Sequence, residues 1–343
     1  MRAAVLRDKR IVVDEVPEPE PGPGQVLVRT LACGICGSDL HALHHADEMA
    51  AVAEECGLPR TMDPARDVVM GHEFCAEILD FGPNTLRNLA PGDRVCSMPL
   101  VFHPGGVGAV GYSNDFPGGY GERMVLSEPM LLRVPDDLPT EAAALTEPMA
   151  VGVHAVAKAE LAKGEAPLVV GCGPVGLAVV AALALRGVEP IVAADYSPRR
   201  RELAAGLGAH VVVDPAEASA FAELAKAAGA RSPVVFECVG VPGLLHTLMR
   251  DAPPRSRLVV AGACMEDDRI KPLIGIQKEL QIQFVLGYAP EEFSQALAAL
   301  ADGRIEAAPL VTGRVGIPDV ADAFEDLGRP DAHAKILVEP WRS

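Results

Sequence analysis

The sequence predicts an α/β protein: a doubly wound domain built on a parallel sheet, joined to a second, mostly β domain. Three observations carry this. At 343 residues the chain is longer than one core usually fills, so about two domains are expected. From about residue 150, short apolar runs alternate with helical stretches, the pattern of a parallel sheet covered on both faces. Before that point the chain is rich in Gly, Pro and short β-like runs, the texture of an irregular β domain.

The elements follow in order. Gln25-Val-Leu-Val-Arg-Thr-Leu31 alternates like a half-buried strand. A helix-like stretch, residues 46–55, sits in the long segment between His41 and Gly71, where His44 and His45 read as loop residues. Pro91-Gly-Asp-Arg-Val95 is a turn feeding a strand, and Gly118-Gly-Tyr-Gly-Glu-Arg-Met-Val-Leu126 reads the same way. Leu168-Val-Val-Gly171 is a short apolar strand, with a helix over 174–186. Ile191-Val-Ala-Ala-Asp195, His210-Val-Val-Val213, Val234-Val-Phe-Glu-Cys-Val239 and Leu258-Val-Val-Ala261 repeat the strand pattern, with helices near 197–207, 215–228 and 244–250 between them. Gln281-Ile-Gln-Phe-Val-Leu286 adds a strand, 290–302 an amphipathic helix, and Ala334-Lys-Ile-Leu-Val338 a strand returning to the first domain. The expected division is 1–149 for the β domain, 150–287 for the α/β domain and 288–343 for the return.

Composition narrows the function. Lys and Arg total 30 against 47 Asp and Glu, a net charge of -17, which repels phosphate backbones and anionic lipid. Nucleic-acid and membrane-surface binding are not expected, and an enzyme with a small-molecule substrate is. Residues 166–185 carry no charge and could mislead a hydropathy scan, but Gly171, Gly173, Pro174 and Gly176 inside them favour a strand, a turn and a buried helix. The N-terminus has no apolar run of signal-peptide type, so a cytoplasmic protein is expected. Eight scattered cysteines do not read as a disulfide framework. Cys33 and Cys36 form a C-x-x-C, either a redox pair or half of a zinc site.

Gly171-Cys-Gly-Pro-Val-Gly176 is a G-x-G-x-x-G that follows an apolar strand and opens a helix. Its glycines, with Pro174 and Val175, allow a tight turn and the close approach of a pyrophosphate to the helix N-terminus. Asp195 ends the next strand, at the spacing where an acid bonds the adenosine ribose. It repels a 2′-phosphate, so NAD is favoured over NADP. Arg199, Arg200 and Arg201 could soften that preference or could be an exposed charge run.

Cys36, in Cys36-Gly-Ser-Asp-Leu-His41, and Gly71-His-Glu73 offer a thiolate, an imidazole and a carboxylate from separate segments. That set suits Zn²⁺ with an open coordination position. Taken with the nucleotide motif, the sequence resembles the zinc-dependent medium-chain alcohol dehydrogenases, in particular the polyol, sorbitol and threonine dehydrogenase-like branch. The matching pieces are Gly34-Ile-Cys-Gly-Ser-Asp-Leu-His41, Gly71-His-Glu73, Pro91-Gly-Asp-Arg-Val95, Gly118-Gly-Tyr-Gly-Glu122, Thr146-Glu-Pro148 and Gly171 to Gly176.

The resemblance implies a GroES-like catalytic domain, a Rossmann domain, and a homodimer or homotetramer. It implies Cys36 and His72 as zinc ligands, with Glu73 binding the metal or exchanging onto it and Glu147 near the zinc. It implies that Asp39 holds the His72 ring. Ser38 would accept the alcohol proton, and the nicotinamide ribose and then His41 would pass it to solvent. Val239, Ala261 and Gly262 would flank the nicotinamide. Many relatives carry a four-cysteine lobe with a second, structural zinc. Between Pro91 and Met124 this chain has only Cys96, so that zinc is expected to be absent. The competing readings are a zinc-free quinone or enoyl reductase of the same fold, and a nucleotide-binding protein without chemistry. The Cys36, His72 and Glu73 set speaks against both.

Overall fold

The computed structural model describes residues 1–58, 61–329 and 332–342. The chain forms two compact units, one of Met1–Glu147 with Leu310–Ser343 and one of Pro148–Pro309.

The second unit is a six-stranded, wholly parallel sheet. Its strands are Glu165–Val170, Val192–Ala194, Val211–Val213, Ser232–Glu237, Arg257–Val260 and Gln281–Phe284. Numbered in chain order they lie 3-2-1-4-5-6, the order of a doubly wound dinucleotide fold. The uncharged segment 166–185 folds as a strand, a turn and the helix Pro174–Leu185, whose residues from Gly176 to Leu183 are all buried. An all-apolar helix is stable here because the fold covers it on every side. Among the described residues no helix is long and apolar enough to cross a membrane.

Several boundaries differ from expectation, for local reasons. The helix expected from 215 starts later, as Ala220–Ala228, because Asp214 folds the chain first. The Asp214 carboxylate accepts from Ala216 N at 2.9 Å and its carbonyl accepts from Glu217 N and Ala218 N, a side-chain-closed turn. Ser219 then caps the helix by accepting from Ala222 N. The short helix Pro272–Lys278 was not foreseen: seven residues carry too little periodicity to register. The chain re-enters the first unit at Leu310, where 288 was expected. The helix Pro290–Ala301 stays with the second unit, burying Phe293, Ala296 and Leu300, and its Glu292 meets His154 Nδ1 at 2.8 Å.

In the first unit a seven-stranded sheet runs Val311–Val315, Lys335–Val338, Gln25–Gly34, Glu73–Phe81, Arg94–Ser97, Leu131–Arg133, with Arg123–Ser127 also paired to Gln25–Gly34. The C-terminal strand therefore lies beside the strand that leads into Cys36. The helix expected over 46–55 begins nine residues earlier and spans Gly37–Glu55. Cys36 caps it: Asp39 Oδ2 accepts from Cys36 N at 3.0 Å. Asp39, Ala42, Ala46 and Ala50 line its buried face at helical spacing. His44 and His45, read as loop residues, lie in this helix, which bends at His45 (φ -124°, ψ 24°).

Candidate active site

Sheet register builds the centre of the site. Gly34 pairs with Glu73 across two antiparallel strands. Cys36 follows the end of one strand and His72 precedes the start of the other, so both arrive at the same place. One ligand atom each from Cys36, His72 and Glu73 lie within 4.8 Å of one another. His72 is 7% exposed and Glu73 fully buried. Burial and the charge of Glu73 raise the Cys36 thiol above its ordinary range. Burial disfavours a charged His72 ring, but the neighbouring Asp39 outweighs it and raises the ring well above its ordinary value. A thiol, an imidazole and a carboxylate crowded together and shielded from water are a donor set that a divalent cation satisfies, and their chemistry fits zinc.

Asp39 lies under His72 and is fully buried. Its Oδ2 accepts from Tyr120 Oη at 2.6 Å and from Cys36 N at 3.0 Å. Its Oδ1 accepts from Tyr112 Oη at 3.0 Å and lies 3.4 Å from His72 Nδ1. That last contact is too long and poorly aligned for a good hydrogen bond, so Nδ1 is buried without a partner. Burial disfavours the charged carboxylate, but the His72 charge and the hydrogen bonds outweigh it and hold Asp39 below its ordinary value. Burial also pushes both tyrosine hydroxyls well up, so they remain donors.

Glu73 has a second commitment. Lys335 Nζ, 2% exposed, donates to Glu73 Oε1 at 2.8 Å, to Oε2 at 2.6 Å and to the Ile35 carbonyl at 3.0 Å. Burial disfavours the charged lysine, yet the Glu73 carboxylate keeps it raised. Glu147 is also buried and its charge reaches Lys335, but it is not one of the three clustered donors. Lys335, Tyr112 and Tyr120 were not singled out in the sequence. The available signal was a lone lysine inside the apolar run 334–338. Ser38 and His41 stand on the first turn of the helix after Cys36, three residues apart and on one side. Ser38 interacts with the Tyr112 hydroxyl. Burial and the charge of His45 lower the His41 ring below its ordinary value.

The second unit carries the glycine turn expected to receive the nucleotide. Gly171 has φ +88°, a left-handed conformation that suits glycine. A Cβ on Gly176 would collide with the Gly171 carbonyl oxygen, so this glycine sets how closely the helix packs on the turn. At Gly173, the residue before the helix, a Cβ would meet no protein atom within 4 Å. Its space is open, which fits the approach of a pyrophosphate to the N–H groups at Pro174–Leu185. Asp195 Oδ2 accepts from Cys172 N at 2.7 Å and Oδ1 from Ser197 N at 2.8 Å, aiming the carboxylate along the turn. Glu237 braces the opposite side: Oε1 accepts from Val239 N at 2.7 Å and Gly240 N at 2.8 Å, and its carbonyl accepts from Ala261 N and Gly262 N, both at 2.9 Å. Of the arginines, Arg201 is committed to the Asp195 and Tyr196 carbonyls and to Asp214. Arg200 Nε is buried without a hydrogen-bond partner.

Residues 22–136 match the alcohol dehydrogenase GroES-like domain, and residues 174–302 match the zinc-binding dehydrogenase domain. The chain is 32% identical to the (R,R)-butanediol dehydrogenase of Bacillus subtilis, over 99% of this chain and 100% of that protein. The crystal structure of 2R,3R-butanediol dehydrogenase from the same organism superposes with a TM-score of 0.83 at 31% identity, covering 99% of each chain. A zinc-binding dehydrogenase from Sinorhizobium meliloti, solved bound to NADP, superposes equally well (0.83) at 27% identity, again over 99% of each chain. The chain thus belongs to the zinc-dependent medium-chain alcohol dehydrogenase family. It is an oxidoreductase that interconverts an alcohol and its ketone or aldehyde, with zinc and a nicotinamide coenzyme.

Proposed function

We propose that this enzyme is an NAD-preferring dehydrogenase of diols or polyols, with one zinc held by Cys36, His72 and Glu73, and with Glu147 nearby as a further carboxylate for the metal. The convergence of Cys36, His72 and Glu73 over a buried Asp39 carries the reading. The ion pair with Lys335 holds Glu73 beside the other two donors, where it binds the metal directly or exchanges onto it. Similarity to a butanediol dehydrogenase and the buried Glu147 support a substrate with a second hydroxyl. Zinc bound there would supply Lewis-acid polarisation of the substrate oxygen, and the coenzyme the hydride acceptor. Ser38 takes the substrate proton. His41, neutral because burial and His45 depress its pKa, stands beyond the nicotinamide ribose in that relay and delivers the proton to solvent.

Asp195 holds the adenosine ribose and disfavours a 2′-phosphate. The neighbour with bound NADP and the partnerless Arg200 Nε favour a weaker, second use of NADP. Steady-state rates with NAD and NADP across simple alcohols, vicinal diols and sugar alcohols test both points. The highest kcat/KM is expected for a diol or polyol with NAD, and Asp195→Ser should shift the balance toward NADP. A wild-type preference for NADP would overturn the role of Asp195, and a preference for simple alcohols would overturn the substrate class. Eight free thiols support a reducing, cytoplasmic setting. The open edge strand Gln281–Phe284, with Phe284 66% and Leu286 93% exposed, supports pairing with a second copy of the chain.

A further inference from the structure

We propose that Tyr112 is a positioning residue for the metal site, its hydroxyl and ring together fixing Asp39 and His72 in the arrangement that holds the ion. The proposal rests on the reading that Cys36 and His72 hold zinc. Tyr112 comes from the glycine-rich segment 101–117, which lacks the four cysteines of the structural-zinc lobe that many relatives carry.

Two contacts from this one side chain converge on one imidazole. The hydroxyl donates to Asp39 Oδ1 at 3.0 Å, the same oxygen that faces His72 Nδ1 at 3.4 Å. The ring lies 5.2 Å from the His72 ring, tilted by 40°. Asp39 has no access to water, so its oxygens depend wholly on protein donors. Oδ2 has two of them, Tyr120 Oη and Cys36 N. Among the described residues, Oδ1 has the Tyr112 hydroxyl and otherwise only the long His72 contact. Without that hydroxyl, Oδ1 is left short of donors and the carboxylate is free to turn away from the ring it orients. Groups that orient a ligating histidine through its second nitrogen typically change metal affinity by roughly 10–100-fold.

The loop itself is pinned. Asn114 Oδ1 accepts from Asp63 N at 2.7 Å, and Asn114 Nδ2 donates to the carbonyls of Asp63, Arg66 and Asp67. Gly111 N donates to the Phe116 carbonyl at 3.2 Å. The backbone carrying Tyr112 is thereby held by a clamp separate from the metal donors.

The test is zinc affinity of the full chain, measured by competition between metal-free protein and a chelating indicator, with melting of the metal-free protein as a control. Tyr112→Phe keeps the ring and removes the hydroxyl, and should weaken zinc about 10-fold. Tyr112→Leu removes both contacts and should approach about 100-fold. In an Asp39→Asn background the effect of Tyr112→Phe should shrink, because the two residues act through one contact. Metal-free melting should fall only modestly for Tyr112→Phe, as expected for the loss of one buried hydrogen bond. Unchanged zinc affinity, or an equal loss in the Asp39→Asn background, would overturn the proposal. So would lowered melting with zinc affinity intact, because Tyr112 would then be only a packing residue. If Tyr112→Phe does not fold, Asn114→Ala, which frees the loop without touching the site, must itself weaken zinc, and unchanged affinity would again overturn the idea. A wild-type protein that binds no zinc would instead remove the metal-site reading beneath it.

Discussion

Lys335 and Glu73 form a buried pair whose two charges depend on each other. The lysine satisfies its donors with two carboxylate oxygens and one carbonyl, all within 3.0 Å. Removing one partner of such a pair leaves an uncompensated buried charge, at a cost of about 3–5 kcal/mol. Lys335→Met should destabilise the protein by that order in denaturant unfolding, and adding Glu73→Gln should restore part of the loss. A Lys335→Met protein as stable as wild type would mean that Glu73 has another cation to hold. The residues proposed to carry the proton respond differently. Ser38→Ala should keep zinc and coenzyme binding but lower kcat by roughly 10²–10⁴-fold. His41→Ala should cost less, because water can replace the outermost group. The sign of its pH effect follows from a lowered pKa: the folded ring stays neutral down to a pH below its ordinary 6.5. It can accept a proton throughout the neutral range and loses that ability only as pH falls through the lowered value. The acid limb of kcat should therefore lie below 6.5 and flatten in His41→Ala, as a pH–rate profile would read. Wild-type turnover by Ser38→Ala with zinc intact would refute the relay.

At the scale of elements, the turn into Pro174–Leu185 separates packing from ligand contact. A Cβ at Gly176 would run into the Gly171 carbonyl, whereas one at Gly173 would meet only open space. Gly176→Ala should lower stability by about 1–3 kcal/mol, since an overfilled contact must move the helix. Gly173→Ala should cost no more than about 1 kcal/mol, the difference between glycine and alanine before a helix. Both should weaken coenzyme binding, Gly176→Ala through displacement of the helix and Gly173→Ala by filling the space of the pyrophosphate. Thermal melts with coenzyme titrations distinguish the two; equal destabilisation by both would contradict the geometry. The helix Gly37–Glu55 shows how an element can be longer than its sequence pattern suggests. Its first turn carries Ser38, Asp39 and His41, residues whose polarity hides helical periodicity. The cap by Asp39 and the small buried face of Ala42, Ala46 and Ala50 establish it only once the strand before Cys36 delivers the chain there.

For the whole molecule, the two units carry separate parts of the chemistry: metal donors in the first, nucleotide cradle in the second. Among the described residues the clustered metal-type donors are Cys36, His72 and Glu73. Elemental analysis should find at most one tightly bound zinc per chain, and two would show that the segment 101–117 or its surroundings hold a metal after all. Assembly is open to a direct measurement of mass in solution. If the exposed edge at Gln281–Phe284 pairs with a second copy, Phe284→Asp should shift the particle toward the monomer, through an unpaired charge at the seam. An unchanged mass would place any interface elsewhere.

Local sequence alone determined the alternation of strands and helices after residue 150, the G-x-G-x-x-G turn with Asp195 beyond it, and Cys36 and His72 as metal-type donors. Each of these is written in contiguous residues: apolar runs of strand length, glycines at fixed offsets, and donor types rare on a random surface. Tertiary structure alone decided the rest. Lys335 reaches Glu73 because two strands distant in the chain flank the same strand, Gln25–Gly34, a register no short window encodes. Tyr112 and Tyr120 meet Asp39 from a segment more than seventy residues away in sequence. The helix Pro290–Ala301 joined the second unit because Phe293, Ala296 and Leu300 are buried there and Glu292 met His154. Such pairings are chosen by burial and by the need of buried charges for partners, both properties of the assembled fold.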